Sequence, residues 1–238
     1  MIIEENRPET IVIDYKFIFD DKTEKIFSIN IDTANYDLIR TFRDVPQDWT
    51  KLEKFQCPNC PLNFEEYEFC PVAINLQDIL EFFSDVPSYE KVNLAVTTRE
   101  RTYMKDTSIQ QGISSILGII MVTSGCPVIG KLKPMVRFHL PFASIEETEI
   151  KVFSLYLLAQ LVNAQLGKEQ DWEMKKLNEI YKEIREVNVN IAQKIVDLEK
   201  LDATTNAVIV LNNFADSVTL SLEEKDLTPL IPFLKEFL

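Results

Sequence analysis

Apolar residues occupy alternate positions through Thr10–Phe19, where Ile11, Ile13, Tyr15, Phe17 and Phe19 share one face, and again through Lys25–Thr33 with Phe27, Ile29 and Ile31. A period of two places such side chains on one face of a β-strand. The polar connection Asp20–Glu24 between the two runs predicts a β-hairpin. With only five glycines in the chain, the turn has to be made by Asp, Lys and Thr rather than by Asn-Gly. Tyr36–Phe42 reads as a third strand. Val92, Leu94 and Val96 alternate with Asn93, Ala95 and Thr97, a further strand that runs into the charged stretch Arg99–Tyr103. Three or four strands in one antiparallel sheet are expected from this half of the chain.

The helical pattern begins with Asn75–Phe83, where Leu76, Ile79, Leu80 and Phe83 follow Ile74 on one face. Pro71 suits the first turn of this helix, because the N–H that proline lacks has no partner there anyway. Ser108–Val122 is expected to be helical and carries Gly112, Ser115 and Gly118 three apart, a stripe that lets another element approach closely. Ser124-Gly125 with Pro127 beyond it ends that helix. Pro134–Phe142 reads as extended, broken by Pro141. Ser144 with Glu147 three residues on forms a capping box for a helix that runs to about Leu166, with Gly167 at its C′ position. That helix is apolar nearly all round (Ile150, Val152, Phe153, Leu155, Leu157, Leu158, Leu161), the pattern of a buried element. It is therefore expected at the centre, with Leu155, Leu158 and Leu161 almost fully buried.

In Trp172–Leu201, Leu177, Ile184, Ile191 and Leu198 fall seven apart, with Ile180, Val187 and Leu201 between the rows and Lys194 interrupting the second. Such spacing serves a coiled-coil seam, and hence a homodimer through Trp172–Leu201, or a long helix packed on its own neighbour. The neighbour, favoured here, is Ala203–Leu222 with Leu211, Phe214, Val218 and Leu222, capped by Asp202. The tail Pro229–Pro232 with Phe233, Leu234, Phe237 and Leu238 is too apolar to stay in solvent and should dock. Strands first and helices afterwards predict an α+β fold, a small antiparallel sheet packed against a mainly helical C-terminal half. A soft division near Asp106 separates 1–105, β-rich with the cysteine loop, from 106–238, helical, within one compact unit.

Charge narrows the function. A formal net charge of −13 argues against sequence-independent nucleic-acid binding and against docking on an anionic membrane surface. Met1–Thr10 carries Glu4, Glu5, Arg7 and Glu9 and no apolar stretch, and the longest apolar run, Ile116–Val122, is far shorter than the ~20 residues of a membrane span. A cytoplasmic location is expected, where thiols stay reduced and a C-x-x-C pair points to metal or redox chemistry.

The chain has four cysteines, Cys57, Cys60, Cys70 and Cys126, and each is followed by proline. At the usual proline frequency of about 5% this is no coincidence; something fixes the backbone at every thiol. Two thiolates at C-x2-C can hold one ion from a single turn. Cys70, just ahead of Pro71, falls where a helix N-cap would be, so the helix dipole favours its thiolate. Cys126 follows a helix end and could complete a tetrahedral shell. Intervals of 2, 9 and 55 residues suit zinc better than the tighter ligand runs of an iron–sulfur cluster, which is the alternative. Four reduced thiols with prolines that only shape turns is the plain reading beside these.

His139 is the only histidine. It could replace a thiolate at the metal or act as a base for Cys126, or it could be a satisfied core residue. Arg99, Arg101 and Arg137 could gather into an anion site, or pair with the abundant carboxylates. No Gly-rich phosphate loop, His-Glu-x-x-His helix or Gly-x-Ser-x-Gly elbow is present in the sequence.

The motifs Cys57-Pro-Asn-Cys60-Pro-Leu, Cys70-Pro-Val-Ala, Glu100-Arg-Thr-Tyr103, Thr123-Ser-Gly-Cys126-Pro-Val and Pro134-Met-Val-Arg-Phe-His-Leu-Pro-Phe-Ala143 resemble a family of uncharacterised bacterial proteins, over about 55–206. The resemblance implies one bacterial intracellular domain and adds nothing about catalysis. Two functions stand side by side. One is a non-catalytic sensor or interaction module with a four-cysteine zinc or iron–sulfur site, acting through a protein partner. The other is an enzyme that pairs Cys126 with His139 and holds an anionic ligand on Arg99, Arg101 and Arg137.

Overall fold

The computed structural model describes residues 9–40, 45–197, 202–224 and 226–238. Four strands, β1 (Thr10–Ile18), β2 (Glu24–Asp32), β3 (Lys91–Thr97) and β4 (Thr102–Ser108), form one antiparallel sheet in the order β2-β1-β3-β4. Ile13, Tyr15 and Phe17 of β1 and Phe27, Ile29 and Ile31 of β2 are buried, as their period of two requires. Their register sets Tyr15 opposite Phe27 and Ile13 opposite Ile29, so both rows face the same core. The hairpin turn is made without glycine: Lys22 takes a φ of 69°, and Asp21 Oδ1 accepts from the Thr23 N–H (2.9 Å) and hydroxyl (2.6 Å).

Helices α1 (Leu52–Phe55), α2 (Pro71–Phe82) and α3 (Ile109–Thr123) lie in the first half or follow the sheet directly. α2 presents Val72, Leu76, Ile79 and, just past its end, Phe83 to the core. There Phe83 meets Phe17 edge-on at 5.1 Å and stacks on Phe27 at 6.1 Å. α3 continues without a loop from β4, which crosses the composition shift near Asp106. After α3 come a 3-10 segment (Ile129–Phe138), α4 (Ile145–Gln165), α5 (Lys175–Asp197), α6 (Asp202–Glu224) and a last short helix, α7 (Ile231–Leu234). The α+β class therefore holds.

The capping box at Ser144 is formed: the Glu147 N–H donates to Ser144 Oγ and the Ser144 N–H to Glu147 Oε2. At the other end of α4, Gly167 adopts a φ of 68°, and the Gly167 and Lys168 N–H groups reach back to Ala164 and Asn163. This is the reverse-turn cap that glycine permits.

Several expectations are overturned. Tyr36–Phe42 is not a strand where it is described; Tyr36 has a φ of 58° and Leu38 makes only an isolated bridge to Ile31, while 41–44 lie outside the described residues. Pro134 does not extend the chain, because its fixed φ suits the 3-10 turns of Ile129–Phe138 equally well. α4 is not the central helix: Leu158 and Leu161 are 56% and 50% exposed and Leu155 is half-buried. α3 holds the centre instead. Of the tail, only Leu230 is buried; Phe233, Phe237 and Leu238 are exposed. The row Leu177, Ile184 and Ile191 is buried within the chain, where α5 packs on α6 through Ala215, Val218 and Leu222. Leu198, Leu201 and the Leu211 side chain lie outside the described residues.

Candidate functional site

Three separate segments bring the cysteines together. Cys57 and Cys60 close a turn in which the Cys60 N–H donates to the Cys57 carbonyl at 3.0 Å, with Pro58 at the position that proline's φ favours. This turn is fastened to α5 by Asn59, whose Nδ2 donates to the Glu183 carbonyl at 2.9 Å, and across its own loop by Gln56 Nε2 to the Leu62 carbonyl at 2.8 Å.

Cys70 is the N-cap of α2 with Pro71 in the first turn, as its sequence context predicts. Its carbonyl accepts from the Ile74 N–H at 3.1 Å, and the Val72 and Ala73 N–H groups face its sulfur and favour the thiolate, short of a closed cap hydrogen bond. Cys126 repeats the arrangement. Its carbonyl accepts from the Gly130 N–H at 2.9 Å, and the Val128 and Ile129 N–H groups face its sulfur. Cys-Pro thus does the same work twice: proline fixes the entry to a helical turn whose free N–H groups turn toward the preceding thiol. Gly125, at a φ of 95°, makes the sharp exit from α3, and a Cβ there would stand 3.9 Å from Pro71 Cβ. Its tight turn delivers Cys126 beside the start of α2.

The thiols are near enough to oppose one another's ionisation. Burial raises Cys57 to about 12, assisted by Cys70, Cys126 and Cys60, while the Lys194 ammonium works the other way. Burial raises Cys70 to about 11, with Cys126 and Cys60 contributing, and burial also raises Cys126, with Cys60 contributing. No cysteine is paired in a disulfide. Among the described residues no three His, Cys, Asp or Glu side chains are arranged to hold a metal ion. The four thiols are gathered but not drawn into a closed shell.

Lys194 is the group that sequence patterning left unassigned. It donates to the Lys54 carbonyl at 2.8 Å and stands 5.1 Å from the centre of the Phe55 ring, a cation on the same side as Cys57. The signal was the interruption of an otherwise apolar row.

His139 does not join the cluster. Its Nε2 lies 2.8 Å from the Tyr15 hydroxyl and 3.3 Å from Ser115 Oγ, themselves 3.0 Å apart, and it forms no hydrogen bond with Cys126. Burial depresses its pKa to about 3, so the ring is neutral. Arg99 and Arg101 lie at the β3–β4 turn and Arg137 near the end of the 3-10 segment; all three are exposed and none forms an ion pair among the described residues. No helix among the described residues is long and apolar enough to cross a membrane.

A family model described as a domain of unknown function (DUF6901) matches residues 13–228. The match reaches well beyond the stretch 55–206 that carries the sequence resemblance, and takes in the β1–β2 hairpin and α6. No curated protein and no solved structure matches the chain.

Proposed function

The chain belongs to the DUF6901 family, and from that premise we propose that it is a non-catalytic, metal-stabilised interaction module in which Cys57, Cys60, Cys70 and Cys126 take up one zinc ion. The observation that carries this is the repeated Cys-Pro geometry: two sulfurs at the starts of helical turns, faced by free backbone N–H groups, next to a C-x2-C turn. Four thiolates around Zn2+ leave a net charge of −2, and the N–H groups and the Lys194 ammonium are the partners such a charge needs. Uptake requires the C-x2-C turn to close on Cys70 and Cys126, bringing each sulfur to about 2.3 Å from the ion.

Metal has to displace protons that burial holds on the thiols, so affinity rises with pH through the neutral range and acid releases the ion. The metal-free protein should behave oppositely. Cys57, Cys70 and Cys126 titrate above the usual cysteine value of 9.0, up to about 12 for Cys57, so at these thiols the unfolded chain loses protons first and the fold weakens as pH rises above about 9.

The test is reconstitution of the reduced protein with Zn2+, read by elemental analysis and by cobalt substitution, whose visible spectrum reports tetrahedral thiolate ligation. One ion per chain, slowed alkylation of all four cysteines and at least about tenfold weaker binding on Cys126→Ser are expected. A brown protein with stoichiometric iron and sulfide would reassign the site to a cluster. Failure to bind any metal, with alkylation unaffected by zinc, would sink the proposal.

A further inference from the structure

A cavity of about 300 Å3 opens between the middle of α3, the loop after the 3-10 segment, the first turns of α4, and α5 and α6. No cysteine lines it, so it is a site separate from the thiol cluster and needs no metal there. Its walls are mainly apolar, with Leu117, Met121, Leu132, Met135, Phe142 and Ile184. Part of the room comes from the small residues of α3: Ser115 and Gly118, two members of the small-residue stripe, border it. Phe142 has a φ of 62°, a costly left-handed conformation for an aromatic residue, and Lys105 Nζ lies 5.7 Å from the centre of its ring.

The ionisable groups are one-sided. Although the chain carries 38 Asp and Glu, none among the described residues lines this cavity; its walls hold Lys105, Lys151, neutral His139 and Tyr181. Lys151 has neither a hydrogen bond nor an ion pair among the described residues, and burial lowers its pKa. Its charge in turn helps depress His139. On α5, Asn188 is 3% exposed and its Oδ1 has no hydrogen-bond partner among the described residues. Partly buried charge without a counter-ion, and a buried carbonyl oxygen without a donor, are both unfavourable until something binds beside them.

We propose that this cavity binds a monocarboxylic acid with an aliphatic body of about ten carbons. The carboxylate sits at Lys151, with exposed Lys105 at the mouth, and the tail runs along Met121, Leu132 and Met135, where flexible thioethers adapt to it. Asn188 accepts from water or from a hydroxyl on the tail. The volume is about twice the ~150 Å3 that admits benzene, which sets the size at roughly a dozen non-hydrogen atoms.

Titration calorimetry of the whole chain with decanoate, decanol and decylamine, each below its micelle concentration, tests this. Decanoate should bind one per chain, about tenfold or more tighter than decanol, and decylamine should not bind. Lys151→Met should erase the preference for acid over alcohol while leaving decanol affinity and folding intact, since it removes an unpaired charge and keeps the length of the side chain. Leu132→Trp should fill the cavity and abolish binding of both. Equal binding of acid and alcohol, a preference that survives Lys151→Met, or no binding of decanoate would each overturn the assignment. Should Lys151→Met not fold, the acid–alcohol comparison on the native chain and the Leu132→Trp variant decide it.

Discussion

α3 and α4 both carry long runs of apolar residues, yet only α3 is buried along most of its length. α3 buries most of its 15 residues, among them Ile109, Ile113, Ile116, Leu117 and Ile120. α4, longer at 21 residues and apolar nearly all round, buries Glu149, Val152, Phe153 and Gln160, two of which are polar. α3 carries no charged residue, whereas α4 carries Glu146, Glu147, Glu149 and Lys151, and shape adds to that difference. At Gly112 a Cβ would stand 2.5 Å from Phe17 Cε1 and 2.9 Å from Leu94 Cδ2, so the sheet lies directly on α3 because that position has no side chain. α4 has no glycine and packs on the core through Val152 and Phe153, with polar contacts beside them. Ser217 and Ser221 of α6 donate to Glu149 Oε1 at 2.7 and 2.9 Å, and Tyr156 donates to Asp171 at 2.8 Å. An apolar helix is drawn to the core only where its surface can be matched.

The largest effect that tests this contrast is at Ile116, which is fully buried in α3. Ile116→Ala should cost about 2–5 kcal/mol, read as a lower denaturant midpoint at unchanged m-value. A loss under about 1 kcal/mol would remove α3 from the centre. Next comes Gly112→Ala. In an ordinary helix interior this change gains about 1 kcal/mol from propensity. Against Phe17 and Leu94 it should instead lose about 1–3 kcal/mol by overpacking, and Phe17→Leu in the same chain should recover part of the loss. Stabilisation by Gly112→Ala alone would show that the approach of the sheet is looser than the geometry states.

The sequence made these elements legible to different degrees, for physical reasons. The hairpin was readable because one face of β1 and β2 is buried and the other is not, which imposes a period of two. β4 was not, since none of its seven residues is fully buried and no alternation is selected. Local chemistry was read well: Pro71 in the first turn of α2, the Ser144–Glu147 capping box and Gly167 all act within a few residues of themselves. The Cys-Pro turns at Cys70 and Cys126 belong to this class, whereas Gly112 of the small-residue stripe on α3 acts across an interface, against Phe17 and Leu94. Centrality is a different kind of property, set by what lies across the interface, and it misled at α4 and at the tail. The cavity could not be read at all, because Lys151, His139 and Asn188 are distant in the chain and meet only through the packing of α3, α4, α5 and α6.

The smallest expected effect falls on the other side of the contrast. Leu161 is 50% exposed on α4, beside Val162 at 45% and Leu158 at 56%. Leu161→Ala should therefore change stability by less than about 0.5 kcal/mol, because most of the side chain gives up no burial and alanine is the better helix former. The measurement is the same denaturant midpoint, taken at two protein concentrations about a hundredfold apart, since mass action makes the stability of an associated chain depend on concentration. In a monomer the two midpoints coincide and the difference from wild type stays small. A loss above about 1 kcal/mol that appears only at the higher concentration would mean that a second copy of the chain covers this face. α3 would then belong to the core within one chain, and the apolar face of α4 to a core shared by two.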